Sequence, residues 1–203
     1  MSIYALKPRF QAVLRPLVGA LARAGVTANQ VTVAAAVVSV ALGGFVAWRL
    51  PDAGPFVLIS VWLVARMACN AIDGMLALEF GQRSQLGAYL NELADVISDA
   101  ALYLPFALLP PFSPLWTGVV IVLGVISEYA GALGPLVRAS RHYEGPMGKS
   151  DRAFVFGALG LWAALAAPLP GWAALVMPVL AGMLVFTIVN RVRGGLKEGN
   201  LHE

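Results

Sequence analysis

Six apolar stretches separated by short polar breaks set the expected architecture. They run from Val31 to Trp48, Pro55 to Ile72, Leu86 to Leu109, Leu115 to Val137, Ala153 to Ala167 and Trp172 to Asn190. Each reaches or approaches the roughly twenty apolar residues that a membrane-crossing helix needs. The fifth is the shortest and closes on Pro168 and Pro170. The breaks, such as RLPDAGP, EFGQRSQ and PPFSP, are rich in Pro, Gly or charge, as turns between spans should be. Ahead of them, residues 3–24 mix Leu, Val, Phe and Ile with spaced Lys and Arg and contain no acid. That pattern suits a helix lying in the headgroup layer, although Pro8 and Pro16 argue for a flexible basic tail instead. The expected fold is an all-α integral membrane protein in one domain over residues 1–203. An amphipathic juxtamembrane segment (1–30) precedes a bundle of six transmembrane helices (31–190) and a tail (191–203).

Composition agrees with this picture. Of 203 residues, 59% are hydrophobic and 12% charged, and mean hydropathy is +0.77, too apolar to clothe a soluble surface. Twelve of the fourteen Lys and Arg residues lie before the first span, in the second and fourth breaks, or after the last span. The positive-inside rule then puts both termini on the cytoplasmic side. The N-terminal basic residues are spread out, unlike the charge block of a cleavable signal peptide. The single cysteine, Cys69, cannot form an intrachain disulfide and reads as a small packing residue. Membrane lipids are expected partners, and no nucleic acid is.

One stretch contradicts its surroundings. ACNAIDGMLALEFGQRSQLGAYLNELADVISDAALYLP, beginning at Ala68, sets Asn70, Asp73, Asn91, Asp95 and Asp99 at helical spacing inside or beside two spans. Asn70 and Asp73 share one side of the second span, while Gly87, Asn91, Asp95 and Asp99 recur every four residues along the third. If those helices are adjacent and antiparallel, their oxygen-bearing side chains meet in one gap. Burying one carboxylate in a membrane costs about 2.5–3.5 kcal/mol on insertion scales, and several would repel. A hard divalent cation answers both problems, and carboxylate and amide oxygens suit magnesium, manganese or calcium better than zinc. Gly74, Ala77, Gly81 and Gly87 leave backbone exposed for a phosphate, or alternatively permit tight helix packing. Arg66 and Glu128 also fall inside spans and are expected to pair with each other or to line a polar cavity.

These residues resemble the motif of the CDP-alcohol phosphatidyltransferase family: Asp, two residues, Asp-Gly, two residues, Ala-Arg, eight residues, Gly, three residues, Asp, three residues, Asp. Asn70 stands at the first Asp, Asp73 and Gly74 at Asp-Gly, Ala77 and Leu78 at Ala-Arg, Gly87 at Gly, Asn91 at the third Asp and Asp95 at the fourth. Every spacing is met, with three substitutions. TANQVT before the first span, containing Asn29 and Thr32, looks like the family's Pro-Asn segment, and GKSDR, containing Lys149, looks like its Gly-Lys loop.

The resemblance implies two divalent ions, Mg2+ or Mn2+, and a phosphatidyl group moved from CDP-diacylglycerol to a small alcohol with release of CMP. It also implies a homodimer in a bacterial inner membrane, with its active site on the cytoplasmic side. It makes Asp95 the general base and Asn70, Asp73, Asn91 and Asp95 metal ligands, with Asp99 compensating for the two neutral Asn positions. Gly74, Ala77, Gly87, Asn29, Thr32 and Lys149 would face the substrate, and Arg138 is a candidate for an acceptor phosphate. Arg141 and Arg152 are further loop cations of that kind, and His142 reads as a plain loop residue. Leu78 replaces the family Arg, whose contact is lost or supplied elsewhere, with Arg83 one source. Two other readings remain: a degenerate relative that binds nucleotide or metal without turnover, and an ion-coupled transporter, against which stands the lack of an internal repeat.

Overall fold

A computed structural model describes residues 7–200, and among these every regular element is helical. Seven α-helices follow in order: α1 Lys7–Arg23, α2 Ala28–Arg49, α3 Phe56–Glu79, α4 Gln85–Tyr103, α5 Pro114–Ala132, α6 Lys149–Ala166 and α7 Val176–Gly199. Short 3-10 turns at Leu104–Leu108, Gly134–Val137 and Gly171–Leu175 extend or introduce three of them. The first two contain Pro105 and Pro135, which remove the amide an α-helix would need next.

The helices reach further into polar sequence than the apolar stretches suggest. α3 continues seven residues past Ile72 and so carries Asp73 and Glu79, and α7 continues nine past Asn190, carrying Arg191 into the bundle. α6 starts four residues before Ala153, where the Asp151 carboxylate accepts from the Gly148 amide at 3.0 Å and secures the first turn. Among the described residues, α2, α3, α5 with its 3-10 turn, and α7 with its own are long and apolar enough to cross a membrane. α4 and α6 fall short of that standard because each carries three charged side chains: Glu92, Asp95 and Asp99 on one, Lys149, Asp151 and Arg152 on the other.

α2 is the central wedge, packing against both α3 and α4, while α3 packs on α6 and α5 on α7. Glycine permits the closest crossings. A Cβ on Gly43 of α2 would lie 2.1 Å from the Ala101 carbonyl oxygen of α4, and one on Gly160 of α6 would lie 3.0 Å from the Phe56 carbonyl oxygen of α3. An aromatic core of Phe56, Tyr103, Phe106 and Phe156 closes one end of the bundle, with Tyr103 stacked on Phe156 at 3.7 Å. Asp73 lies seventeen residues beyond Phe56 on α3, about 25 Å away at the helical rise, whereas Tyr103 lies one turn from Asp99, so the aromatic core forms the floor beneath the charged residues and Asp73 stands at the far end of the bundle.

α1 runs through Pro16 without breaking and lays Leu14, Val18 and Leu21 against Ala28, Ile72, Met75 and Leu76, leaving Phe10, Val13 and Leu17 exposed. Residues 3–6 of the expected interfacial segment lie outside the described residues. α3 and α4, expected to be direct neighbours, share almost no packing. Each packs instead on α2, and Arg66 reaches from α3 to Asp95 and Asp99 of α4.

Candidate active site

Ion pairs span the spaces that helix packing leaves open. From α3, Arg66 places one guanidinium nitrogen 2.5 Å from Asp99 Oδ1 and the other 3.1 Å from Asp95 Oδ1, and also donates to the Asp95 carbonyl at 3.0 Å. From α6, Arg152 bridges Asp99 at 3.0 Å and Glu128 of α5 at 2.9 Å. Lys149, at the start of α6, pairs with Asp95 Oδ2. Arg141, from the loop before α6, pairs with Glu92 and lies 3.2 Å from Glu128, and Arg191 of α7 lies 3.4 Å from Glu128. Five cations thus meet Glu92, Asp95, Asp99 and Glu128, and all five helices from α3 to α7 contribute. Charges this deep are tolerated because each has a partner and a hydrogen-bonding shell.

Arg66 and Glu128 therefore do not pair with each other. Asp99 stands between them and takes a guanidinium from each side, Arg66 on one oxygen and Arg152 on the other. Asp99, expected as a compensating metal ligand, thus has both oxygens engaged within the protein.

Asp73 is different. It is 6% exposed, accepts a hydrogen bond on Oδ2 from Thr32 of α2 at 2.7 Å, and has no ion-pair partner among the described residues. Thr32 therefore orients Asp73 from the central wedge. Asn70, one turn earlier on α3, borders a cavity of about 170 Å3 with Leu63, Arg66, Met67, Lys149, Ser150 and Ala153. The half-buried Asn91 stands one turn before Asp95 on α4, and neither Asn amide has a hydrogen-bond partner among the described residues. No group of three His, Cys, Asp or Glu residues is arranged to hold a metal among the described residues. The motif oxygens left without an ion-pair partner among the described residues are one carboxylate and two amides, a chemistry suited to a hard divalent ion.

The other expected site residues scatter. Gly74 has open space where a Cβ would stand, whereas a Cβ on Gly87 would lie 2.8 Å from Asn29 Oδ1, so Gly87 and Asn29 pack against each other. Ala77 packs with the Ile72, Met75 and Leu76 cluster. Arg138 is exposed, in a left-handed conformation at the end of the Gly134–Val137 turn, beside a groove formed with Leu136, Leu196 and Asn200. Among the described residues it makes no ion pair with the carboxylate cluster. Leu78 is exposed, and no ion pair of Arg83 appears among the described residues. His142 is in a loop, as expected, but is buried between Glu144 at 2.8 Å and Glu198 at 3.1 Å. Arg66 was expected to pair or to line a polar cavity, and it borders one while pairing with Asp95 and Asp99; the cation that sequence reasoning left out is Arg191. Arg191 gave no signal, because it follows the apolar run and reads as a tail residue.

The model of the CDP-alcohol phosphatidyltransferase family matches residues 25–189. The chain belongs to this family. As a CDP-alcohol phosphatidyltransferase it is similar to inner membrane protein YnbA of Escherichia coli, 41% identical over 97% of each chain. It is also similar to phosphatidylinositol phosphate synthase of Cutibacterium acnes, 28% identical over 89% of this chain and 90% of that one. Two solved structures share its fold, both of phosphatidylinositol phosphate synthase from Mycobacterium tuberculosis and both 24% identical. One, with CDP-DAG bound, has a TM-score of 0.72 over 89% of this chain and 92% of that one. The other, with manganese and citrate, has a TM-score of 0.71 over 89% and 87%. Membership of this enzyme family and four membrane-length helices mark the chain as an integral membrane transferase of phospholipid synthesis, and set aside the transporter reading.

Proposed function

We propose that this enzyme transfers a phosphatidyl group from CDP-diacylglycerol to the hydroxyl of a small polar alcohol, with a divalent ion of the Mg2+ or Mn2+ type. The observation that carries this reading is the carboxylate of Asp73, held by Thr32 beside the open Cα of Gly74 and left without an ion-pair partner among the described residues, with the Asn70 amide one turn earlier on the same helix. Asp73, Asn70 and Asn91 would hold the ion, which would offset the negative charge of the pyrophosphate. Lys149 and Arg66 border the adjoining cavity and offer cationic donors to phosphate oxygens. The acceptor hydroxyl oxygen forms a bond to the phosphorus that carries diacylglycerol, the bond from that phosphorus to the bridging pyrophosphate oxygen breaks, and CMP departs. Asp95 takes the hydroxyl proton, and Arg66 fixes its orientation through both the side chain and the backbone carbonyl.

An acceptor that carries its own phosphate is favoured by two buried, unpartnered Nε donors, on Arg141 and Arg191, at the Glu128 side of the cluster. Six spans with both ends cytoplasmic follow if α4 and α6 cross the membrane with their charges turned inward, as the network turns them. The inner-membrane location, the cytoplasmic active site and the homodimer complete the proposal.

The test is incubation of the purified protein in detergent with CDP-diacylglycerol, Mg2+ or Mn2+ and a pool of alcohols, following CMP release and lipid mass. Acceptor-dependent CMP with a new lipid is expected, lost in Asp73→Ala and Asp95→Ala variants that still elute as folded protein. Nucleotide binding without CMP from any acceptor would support the degenerate reading instead.

A further inference from the structure

The charges around Asp95 are balanced from within the chain. Both of its carboxylate oxygens are engaged, one by Arg66 at 3.1 Å and the other by Lys149, and the side chain is only 15% exposed. Its neighbours on the motif, Asn70 and Asn91, add oxygen donors without charge. Across the cluster, Arg66, Arg141, Lys149, Arg152 and Arg191 stand against Asp73, Glu92, Asp95, Asp99 and Glu128, five against five. Every acid except Asp73 has a cation within ion-pair distance. Asp73 is therefore the one carboxylate of the cluster, among the described residues, that is left to an external cation.

We infer that the site is built for a single divalent ion at Asp73, with the Lys149 ammonium, seated on Asp95, serving as the second positive group toward the pyrophosphate. Three features support this. A second divalent ion at Asp95 would have to displace Lys149 and would sit beside the Arg66 guanidinium, which is itself locked by Asp99. With Asn70 and Asn91 already serving the ion at Asp73, it would have only the Asp95 carboxylate, itself paired with two cations, too little to repay the dehydration of a small dication. Lys149 also borders the 170 Å3 cavity together with Arg66 and Asn70, so its ammonium reaches a ligand in that cavity without leaving α6. With Lys149 as the second positive group, the site gains only one divalent ion's worth of charge when loaded.

The inference rests on the proposed nucleotide site but not on turnover. Mn2+ bound per chain is measured by the loss of the free-ion electron paramagnetic resonance signal, with the full-length protein in detergent, with and without CDP. One Mn2+ per chain is expected at saturation, with at least tenfold weaker binding in Asp73→Asn. In Lys149→Met the Mn2+ count stays at one while CDP affinity falls about 10- to 100-fold, the worth of one charge-assisted contact. An Asn91→Asp, Lys149→Met double variant is expected to bind two. Two ions in the wild-type chain, or none, overturns the inference, as does full CDP affinity in Lys149→Met. Two ions together with acceptor-dependent CMP release would sink it and leave the transferase reading standing. One ion with no CMP release would do the reverse.

Discussion

Arg152 offers the sharpest test of the charge network, because it joins three helices at one buried point. It is 2% exposed, and its guanidinium contacts Asp99 at 3.0 Å, Glu128 at 2.9 Å, Ser127 Oγ at 3.3 Å and the Met147 carbonyl at 3.2 Å. Arg152→Met keeps most of the volume and deletes the charge, leaving Asp99 to Arg66, and Glu128 to Arg141 and Arg191. Breaking one partner out of a buried ion pair costs about 3–5 kcal/mol. For a chain of this length that is a fall of roughly 6–20 °C in the thermal midpoint. Arg152→Lys should fall between wild type and Met, since one ammonium cannot hold the bidentate bridge. Adding Asp99→Asn to Arg152→Met removes a buried carboxylate that has lost one of its two cations and should recover part of the loss, because Arg66 still has Asp95. The assay is thermal unfolding in one detergent, read by tryptophan fluorescence and by loss of the monodisperse elution peak. An Arg152→Met protein that melts with the wild type, or a double variant less stable than the single, would refute the claim that this network holds α4, α5 and α6 together.

Gly43→Ala should destabilise by about 1–3 kcal/mol, because its methyl group meets the Ala101 carbonyl, whereas Gly44→Ala, with no atom within 4 Å, should not lower the midpoint. Thr32→Val keeps the shape but removes the hydroxyl on Asp73, so half-maximal CMP release should need about 10- to 100-fold more divalent ion, measured by metal titration. In the loop between α5 and α6, burial pushes the Glu144 carboxyl up, but bonds from His142 and from backbone amides outweigh it and hold it below the ordinary carboxylate value. A depressed folded value stabilises at pH above the unfolded one and is lost as pH falls through it. Amide exchange in residues 138–148 should therefore stay slow at pH 6 and quicken below about pH 4, and Glu144→Gln should abolish that change.

The helices were legible because apolar runs of membrane length leave few alternatives, and the motif spacing marked α3 and α4 as the carriers of chemistry. Their ends were less legible. α3 and α7 run on into polar sequence because Asp73 and Arg191 find partners in the bundle, and a hydropathy pattern records only affinity for lipid. Helix packing was less legible too: the spacing left adjacency of α3 and α4 as a condition, and nothing in it marked Gly43 as the point where α2 closes on α4. The pairing of Arg66 was half readable. That an arginine in a span must have a partner follows from its charge, but which of Asp95, Asp99 and Glu128 it meets depends on how far apart the helices stand.

The seam between α3 and α4, crossed by Arg66 rather than filled with interlocking side chains, makes the environment part of the fold. Contacts between apolar surfaces depend little on the local dielectric, but a guanidinium facing two carboxylates depends on it strongly. The same pair at a given separation attracts several times more strongly in a dry interior than in bulk water. Every water molecule admitted to that crevice loosens the grip between the two helices that carry Asp73 and Asp95. The thickness and dryness of the surrounding lipid, or of the detergent that replaces it, thus set the spacing of the two halves of the site, and an extraction medium that wets the crevice will change the enzyme's geometry before it unfolds the protein.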